Sequence, residues 1–194
     1  MEAPREFRMK VCVVGTARVG KSSLIRRFAY NQFDDRYLFT IGASVSKTVL
    51  DVTLPGSEEP WKVVLMLWDI MGEKDFMELL KEAYFKHAAG VVAVTDLTRP
   101  ETFPDVGEWI RGVREVAGDI PVVMLGNKLH LVDFRELDWS PLAEASAEFS
   151  AAFLPTSAKT SNNVQSAFSM IGRLALTRML ESRKPAAPEA AAMG

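Results

Sequence analysis

The sequence predicts a three-layer α/β fold with a mostly parallel central sheet and one antiparallel edge hairpin. Short Val-rich runs alternate along the chain with segments of helical periodicity. A glycine-rich loop separates the first run from the first helical segment. The 194 residues suffice for one well-packed domain. We expect that domain over residues 1–181, followed by a loose Pro- and Ala-rich tail over residues 182–194.

The N-terminal half supplies the first strand, the first helix and the hairpin. Residues 9–14 have the pattern of a buried strand, and residues 21–31 that of a helix. Residues 44–54 alternate apolar and polar side chains towards their end, and residues 62–68 form the returning strand. The turn signal Pro-Gly-Ser at residues 55–57 lies between them, which indicates an antiparallel hairpin.

The C-terminal half predicts three more strands and two clear helices. Residues 90–96 and 121–126 are Val-rich runs that each follow a helical segment, as is typical of parallel strands buried on both faces. Ser140 followed by Pro141 predicts a helix N-cap with proline at the first helical position. Residues 152–156 form a short last strand. One apolar stripe marks the final helix: Val164, Ala167, Phe168, Ile171, Leu174 and Ala175.

Composition excludes several classes of protein. Lys and Arg number 23 against 25 Asp and Glu, a net charge of −2, so no cationic field exists for nucleic acid and we expect no such partner. The single cysteine, Cys12, cannot build a disulfide framework or a Cys-rich zinc site. We interpret Cys12 as a small core residue, with a reactive thiol as the minor alternative.

The same reasoning bears on location. The N-terminus lacks the apolar segment of a signal peptide, and no apolar run approaches the ~18 residues of a membrane span. The chain ends without a cysteine that could be prenylated, although a chain shortened at its C-terminus would look the same. We therefore expect a cytoplasmic protein without a lipid anchor. We also expect it to be a monomer.

Residues 15–22, G-T-A-R-V-G-K-S, carry the strongest local signal. This stretch, the phosphate loop, matches G-x-x-x-x-G-K-[ST] between a strand and a helix. Its glycines let backbone N–H groups point inward, where the following helix adds its positive dipole end. We expect Lys21 to reach the β- and γ-phosphates and the Ser22 hydroxyl to bind Mg²⁺.

The motif predicts a P-loop NTPase fold that binds a nucleoside triphosphate, without separating a kinase, an ATPase and a GTPase. Arg18 is either a phosphate contact or a solvent-facing side chain. The predicted phosphate-binding residues are Gly15, Ala17, Arg18, Val19, Gly20, Lys21, Ser22 and Ser23.

Four further segments follow in order, at residues 40–42, 68–73, 126–130 and 156–159. With the phosphate loop, their order and spacing resemble the small GTPases of the Ras superfamily. The segments at residues 84–90 and 94–98 are most similar to the Rab branch, and the resemblance covers residues 8–180. We call residues 40–42 the first switch segment and residues 68–73 the second.

This resemblance implies a conformational switch that hydrolyses GTP to GDP and phosphate with Mg²⁺. The Thr40 hydroxyl would bind Mg²⁺, and the Thr40 and Gly72 N–H groups would contact the γ-phosphate. Asp69 would reach Mg²⁺ through a water molecule. Hydrolysis would release both switch segments, which changes the surface offered to effectors, exchange factors and GTPase-activating proteins.

The resemblance also implies a guanine site. Phe33 would place its edge against the base, unless it is a core residue, and Tyr37 would close over the phosphates, unless it is a surface residue. Ala158 would donate its N–H to guanine O6. The residues that support the base and its loops would be Asn127, Lys128, Ser157 and Lys159.

Three features depart from the family pattern: His130, Glu73 and the pair Ile70-Met71, which stands where the family usually has Thr-Ala and would change the packing of the second switch segment. His130 replaces the aspartate of N-K-x-D, which accepts from two guanine N–H groups, whereas a neutral imidazole accepts once. Losing one such bond costs ~1–3 kcal/mol, or about 5- to 150-fold in affinity. We expect guanine to remain preferred with reduced selectivity. Asp133, three residues on, is an alternative acceptor.

The second departure is Glu73, at the place of the glutamine that orients the attacking water. Ionised Glu accepts hydrogen bonds but cannot donate, so we expect Lys21, Thr40, Gly72 and Glu73 to support only slow intrinsic hydrolysis. A partner's arginine would then supply fast turnover. The alternative is a nucleotide-binding interaction module with negligible hydrolysis or relaxed base specificity. A small-substrate kinase would need a lid, for which no insertion is long enough.

Overall fold

The computed structural model describes residues 6–34, 36, 40–57, 59–133 and 135–183, without the side chains of residues 74, 76, 79 and 80. The strands are β1 (Glu6–Val14), β2 (Ala43–Val52), β3 (Trp61–Ile70), β4 (Gly90–Asp96), β5 (Val122–Asn127) and β6 (Ala152–Pro155). The helices are α1 (Lys21–Tyr30), α2 (Lys74–Phe85), α3 (Asp105–Ala117), α4 (Ser140–Phe149) and α5 (Val164–Ser182). Single 3₁₀ turns occupy Pro100–Thr102 and Leu129–Leu131.

The described strands form one sheet in the order β2-β3-β1-β4-β5-β6. Only the β2–β3 pair is antiparallel, and the other neighbours run parallel. The edge hairpin turns at the predicted Pro-Gly-Ser, where Ser57 N–H donates to the Leu54 carbonyl at 3.0 Å. The predicted fold class is therefore confirmed.

Strand periodicity explains the three layers, because alternate residues of β1 face opposite sides of the sheet. Val11 and Val13 pack with the apolar faces of α1 and α5. Cys12 and Val14 pack with residues of α2, α3 and α4. On the first side, Phe168 of α5 stacks on a phenylalanine of α1 with ring centroids 4.5 Å apart. A helical layer thus covers each face of the sheet.

Cys12 is a core residue, as predicted. It is fully buried, and its thiol donates to the Tyr84 carbonyl at 3.5 Å. Burial raises the pKa of the Cys12 thiol to about 12. Because the thiolate is the reactive form, this environment does not favour the alternative of a reactive thiol.

Some boundaries differ from the predictions. β1 begins at Glu6 rather than at residue 9. The prediction that Ser140 caps α4 is wrong: the helix begins at Ser140, and the Asp138 carboxylate accepts the Ser140 N–H at 3.0 Å. The apolar pattern marks buried residues, so it does not extend to exposed strand or helix ends. The predicted tail lies almost wholly outside the described residues, and the proposed domain limit at residue 181 stays a prediction.

The fold brings several polar chain segments to one edge. The phosphate loop, Asp69, Asp96 and Asn127 all lie at the carboxyl ends of neighbouring parallel strands, β1, β3, β4 and β5. In open α/β sheets this edge is where ligands bind. Among the described residues, no helix combines the length and apolarity needed to cross a membrane.

Candidate nucleotide-binding site

A cavity of about 640 Å³ opens at this edge of the sheet, within the size range of small-molecule sites. Most of the predicted site residues line it: Ala17, Arg18, Gly20, Lys21, Ser22, Ser23, Phe33, Thr40, Gly72, Glu73, Asn127, Lys128, His130, Ala158 and Lys159. Four others lie buried behind this lining: Gly15, Val19, Asp69 and Ser157. Tyr37 lies outside the described residues.

Six residues that the sequence analysis did not select also line the cavity: Arg26, Asp34, Arg36, Ile70, Met71 and Leu131. Arg36 and Asp34 form an ion pair at 2.9 Å. Charged loop residues such as these follow no periodic pattern, and they are indistinguishable in sequence from ordinary solvated surface. Ile70 and Met71 were visible only as departures from the family pattern.

The glycines of the phosphate loop are required by close contacts. Gly15 has φ +137°, and a Cβ there would lie 2.2 Å from the Val94 carbonyl oxygen. Gly20 has φ +98°, and its Cβ would lie 2.2 Å from the Asn127 side-chain nitrogen. Both positions exclude a larger residue. Arg18 also adopts a left-handed backbone, with φ +67°.

Lys21 lies inside the curve of the phosphate loop. Its Nζ donates to the carbonyl oxygens of Gly15 at 2.7 Å and Thr16 at 3.1 Å. Burial lowers the pKa of Lys21 to about 8, although the carboxylates of Asp69 and Glu73 favour its charged form. The loop thus holds a cation whose desolvation a phosphate anion would offset.

Three oxygen-bearing side chains meet beside this lysine. Ser22 Oγ donates to Asp69 Oδ2 at 2.5 Å and lies 3.1 Å from Thr40 Oγ1. Thr40 Oγ1 donates to the same carboxylate oxygen at 3.3 Å. The other oxygen, Asp69 Oδ1, is buried with no hydrogen-bond partner among the described residues, and burial raises the pKa of Asp69. Two hydroxyls and an under-coordinated carboxylate fit a hard cation such as Mg²⁺.

The second switch segment packs directly on the phosphate loop. A Cβ on Gly72 would lie 2.4 Å from the Ala17 nitrogen and 2.7 Å from the Gly15 carbonyl oxygen. The two switch segments also touch each other, because Met71 N–H donates to the Gly42 carbonyl at 2.9 Å. A change at the phosphate loop would therefore reach both segments.

A buried carboxylate joins the phosphate loop to the base side of the cavity. Asp96, at the end of β4, is fully buried and accepts from Lys128 Nζ at 2.6 Å and Arg99 Nε at 2.9 Å. Arg99 Nη2 also donates to the Ala17 carbonyl at 2.8 Å. Burial alone would raise the pKa of Asp96, but hydrogen bonds from Lys128, Thr98 and Arg99 hold it below its ordinary value. Arg99 was not predicted from the sequence as a site residue, and Asp96 was identified only as part of the family-like segment at residues 94–98.

Asn127 makes a second link between the two sides. Its Nδ2 donates to the Val19 carbonyl at 2.9 Å, and its Oδ1 accepts the Ala158 N–H at 3.3 Å. Arg27 Nε donates to the Ala158 carbonyl at 2.8 Å. Phe33 lines the cavity and also packs against the core, with the Lys159 ammonium 5.9 Å from its ring centroid. Phe33 is therefore partly a core residue and also borders the cavity, and its contact with a base stays a prediction.

His130 is held by the loop that carries Ala158. Its Nδ1 lies 2.8 Å from Ser157 Oγ, and that oxygen accepts the Thr160 N–H at 3.1 Å. Asp133 is exposed, accepts the Arg135 N–H at 3.0 Å and does not line the cavity. The structure therefore gives no support to Asp133 as the replacement acceptor.

Comparison with known proteins agrees with this geometry. The Ras family model matches residues 10–177, more than half of the chain. Ras-related protein Rab-8B of Pongo abelii is 30% identical over 175 residues, which cover 90% of this chain and 81% of that protein. The Rab-8B of Homo sapiens gives the same figures. Ras-related protein Rab-13 of Canis lupus familiaris is 32% identical over 165 residues, covering 84% and 78%. The chain therefore belongs to the Ras family of small GTPases, within its Rab-like branch.

Proposed function

We propose that this chain is a molecular switch that binds GTP, hydrolyses it to GDP and phosphate with Mg²⁺, and offers its two switch segments to partners according to the nucleotide bound. The observation that carries the proposal is the contact of both switch segments with the phosphate loop, through Thr40 with Ser22 and through Gly72 with Ala17. A ligand in this loop would decide how both segments are held.

The chain's own residues would act mainly by positioning and by charge. Lys21, whose Nζ donates to the Gly15 and Thr16 carbonyl oxygens, would pair with the β- and γ-phosphates. Ser22, Thr40 and Asp69 would hold Mg²⁺, which when bound supplies positive charge against the phosphate oxygens. The Gly72 N–H would donate to a γ-phosphate oxygen, a group that GDP lacks.

Glu73, which stands in place of glutamine, would support only slow intrinsic hydrolysis. It immediately precedes α2 and lines the cavity. An ionised carboxylate can take a proton from the attacking water but cannot donate to the transition-state oxygens. We therefore expect Glu73→Ala to hydrolyse GTP more slowly than the wild type. Equal rates would remove Glu73 from the mechanism.

Partners would contact the surface beside the switch segments. Ile41 is 86% exposed, and Val45 and Val49 on the edge strand β2 are also exposed. A row of exposed apolar side chains next to a nucleotide-dependent segment fits recognition by effector proteins. Exchange factors and GTPase-activating proteins would act on the same segments, near Thr40 and Gly72.

The competing function is an interaction module that binds nucleotide without turning it over. The replacements at Glu73 and His130 favour this alternative. Single-turnover release of phosphate from bound GTP distinguishes the two, measured with Mg²⁺ and again with a chelator.

The switch predicts slow, Mg²⁺-dependent release that is lost in Lys21→Ala and retained in Lys86→Ala, a matched change on the exposed surface outside the cavity. Tight GTP binding with no phosphate release in either buffer would favour the interaction module.

A further inference from the structure

The two hydrogen-bond partners of the Ser157 hydroxyl determine the direction in which its proton points. Ser157 is fully buried, so its O–H group needs an acceptor within the protein. Its oxygen has two hydrogen-bond partners within the described part of the chain, the Thr160 N–H at 3.1 Å and His130 Nδ1 at 2.8 Å. A backbone N–H can only donate. The Ser157 proton therefore points to His130 Nδ1.

This bond selects one form of the imidazole. If Nδ1 accepts from Ser157, the proton of the neutral ring lies on Nε2, which then acts as a donor. The opposite tautomer would leave the buried Ser157 proton with no acceptor among the described residues. Ser157 is buried and does not line the cavity, whereas His130 does. Nδ1 therefore faces a buried hydroxyl, and Nε2 is the nitrogen that would meet a base.

We propose that Ser157 holds His130 as the Nε2–H tautomer and thereby sets the base site to 6-oxopurines that carry a hydrogen-bond acceptor at C2. Xanthine has a carbonyl at C2, hypoxanthine has a hydrogen, and guanine has an amino group that donates. A donor at Nε2 would bond to the first, leave the second unaffected and oppose the third. This proposal replaces the expectation from the sequence that guanine remains the preferred base; GTP would still bind through the phosphate loop and the Ala158 N–H, but more weakly than a xanthosine nucleotide. This proposal rests on the proposed function, because it assumes that a purine nucleotide occupies the cavity.

The three bases vary the group at C2, which His130 would face. All three carry a carbonyl at C6, which the Ala158 N–H would recognise equally, and all three carry a proton on N1. Guanine and hypoxanthine differ only at C2, so the ranking of these two reports directly on the group that His130 presents. Xanthine also differs at N3, which carries a proton in the neutral base, so its affinity is compared at one fixed pH between the wild type and the His130 variant. One hydrogen bond gained or opposed, ~1–3 kcal/mol, corresponds to about 5- to 150-fold in affinity. We therefore expect xanthosine diphosphate to bind about 5- to 150-fold more tightly than inosine diphosphate, and inosine diphosphate about 5- to 150-fold more tightly than GDP.

The first experiment is competition of these three diphosphates, with Mg²⁺, for the nucleotide-free protein. His130→Asp restores a double acceptor and should reverse the order, so that GDP binds most tightly. Ser157→Ala removes the group that fixes the tautomer and should bring the xanthosine and guanosine affinities closer together. A wild-type preference for GDP over xanthosine diphosphate would overturn the proposal.

The second experiment reads the tautomer directly and does not depend on nucleotide or on how well Ser157→Ala folds. The chain has 2 histidines, so His87→Asn leaves a single imidazole, that of His130. Long-range ¹H–¹⁵N spectra at pH 8, above the ordinary imidazole pKa of about 6.5, report which ring nitrogen is protonated. A proton on Nε2 is expected, and a proton on Nδ1 would refute the proposal.

The two readouts separate the possible failures. If none of the three diphosphates binds, the proposed function fails, while the ring spectrum still decides the tautomer. If they bind equally and the spectrum reports Nδ1–H, the nucleotide site stands and the inference about Ser157 is wrong.

Discussion

Replacing Asp96 with Asn tests whether the buried carboxylate joins the two sides of the cavity. The carboxylate accepts four hydrogen bonds: two from Thr98 on Oδ1, one from Arg99 and one from Lys128 on Oδ2. The Asn carbonyl oxygen can keep the two bonds from Thr98. Its amide group would instead face two cationic donors, so both charged bonds are lost.

The cost follows from these two bonds. A hydrogen bond to a charged group contributes about 1.5–3 kcal/mol, so two give about 3–6 kcal/mol. Arg99 and Lys128 are about one-third exposed, and water can partly replace their lost partner, so we expect the lower end, about 3 kcal/mol. For a domain of this size each kcal/mol lowers Tm by about 2–4 °C. Asp96→Asn should therefore lower Tm by about 6–12 °C.

Circular dichroism melting of the nucleotide-free proteins is the measurement, because bound ligand would add its own stabilisation. Asp119→Asn is the matched control. Its carboxylate also pairs with two arginines, Arg114 and Arg178, but it is 69% exposed, and exposed pairs contribute less than about 1 kcal/mol. If both variants lower Tm equally, burial does not strengthen the Asp96 bonds and the reasoning is refuted.

Three other perturbations follow from the structure. Because the pKa of Asp96 lies below its ordinary value, the carboxylate's contribution to the free energy of unfolding is present above about pH 4 and is lost as pH falls through the folded-state pKa. Urea unfolding should therefore show the free energies of the wild type and Asp96→Asn converging in acid, and a difference that stays constant with pH would contradict this. Gly72→Ala places a Cβ 2.4 Å from a phosphate-loop nitrogen, so GTP titration should show at least about tenfold weaker binding. The control Gly56→Ala, whose Cβ would have nothing within 4 Å, should leave the affinity for GTP unchanged. Phe168→Ala removes a fully buried ring stacked on Phe28 and should cost ~3–5 kcal/mol in urea unfolding; a loss below about 1 kcal/mol would contradict the described packing.

The parts of the fold that depend on local pattern could be predicted from the sequence. The hairpin follows from alternation in residues 44–54 and a turn signal, and the parallel strands from short Val-rich runs. The phosphate loop follows from residue types that its geometry requires, since Gly15 and Gly20 sit where a Cβ would collide with neighbouring strands. Strand and helix ends are less predictable, because exposed ends carry no apolar signal. At the start of α4, for example, the Asp138 carboxylate accepts the Ser140 N–H, whereas the sequence predicted Ser140 itself as the cap.

Links between distant segments were not predictable in the same way. The bond from Arg99 to the Ala17 carbonyl joins residues 82 positions apart, and that between His130 and Ser157 spans 27 positions. Each residue type alone suits many environments. His130 was recognised as a departure from the family pattern, but its tautomer depends on a buried hydroxyl that only the folded chain places beside it.

In the proposed switch, one cavity couples the nucleotide's γ-phosphate to the two switch segments. Hydrogen exchange in complexes with Mg²⁺·GDP and with a Mg²⁺-bound non-hydrolysable GTP analogue tests it most directly. We expect slower exchange at residues 40–42 and 68–73 in the triphosphate complex, with no change in α5 at Val164–Ser182. Identical exchange of both switch segments in two fully loaded complexes would contradict the account.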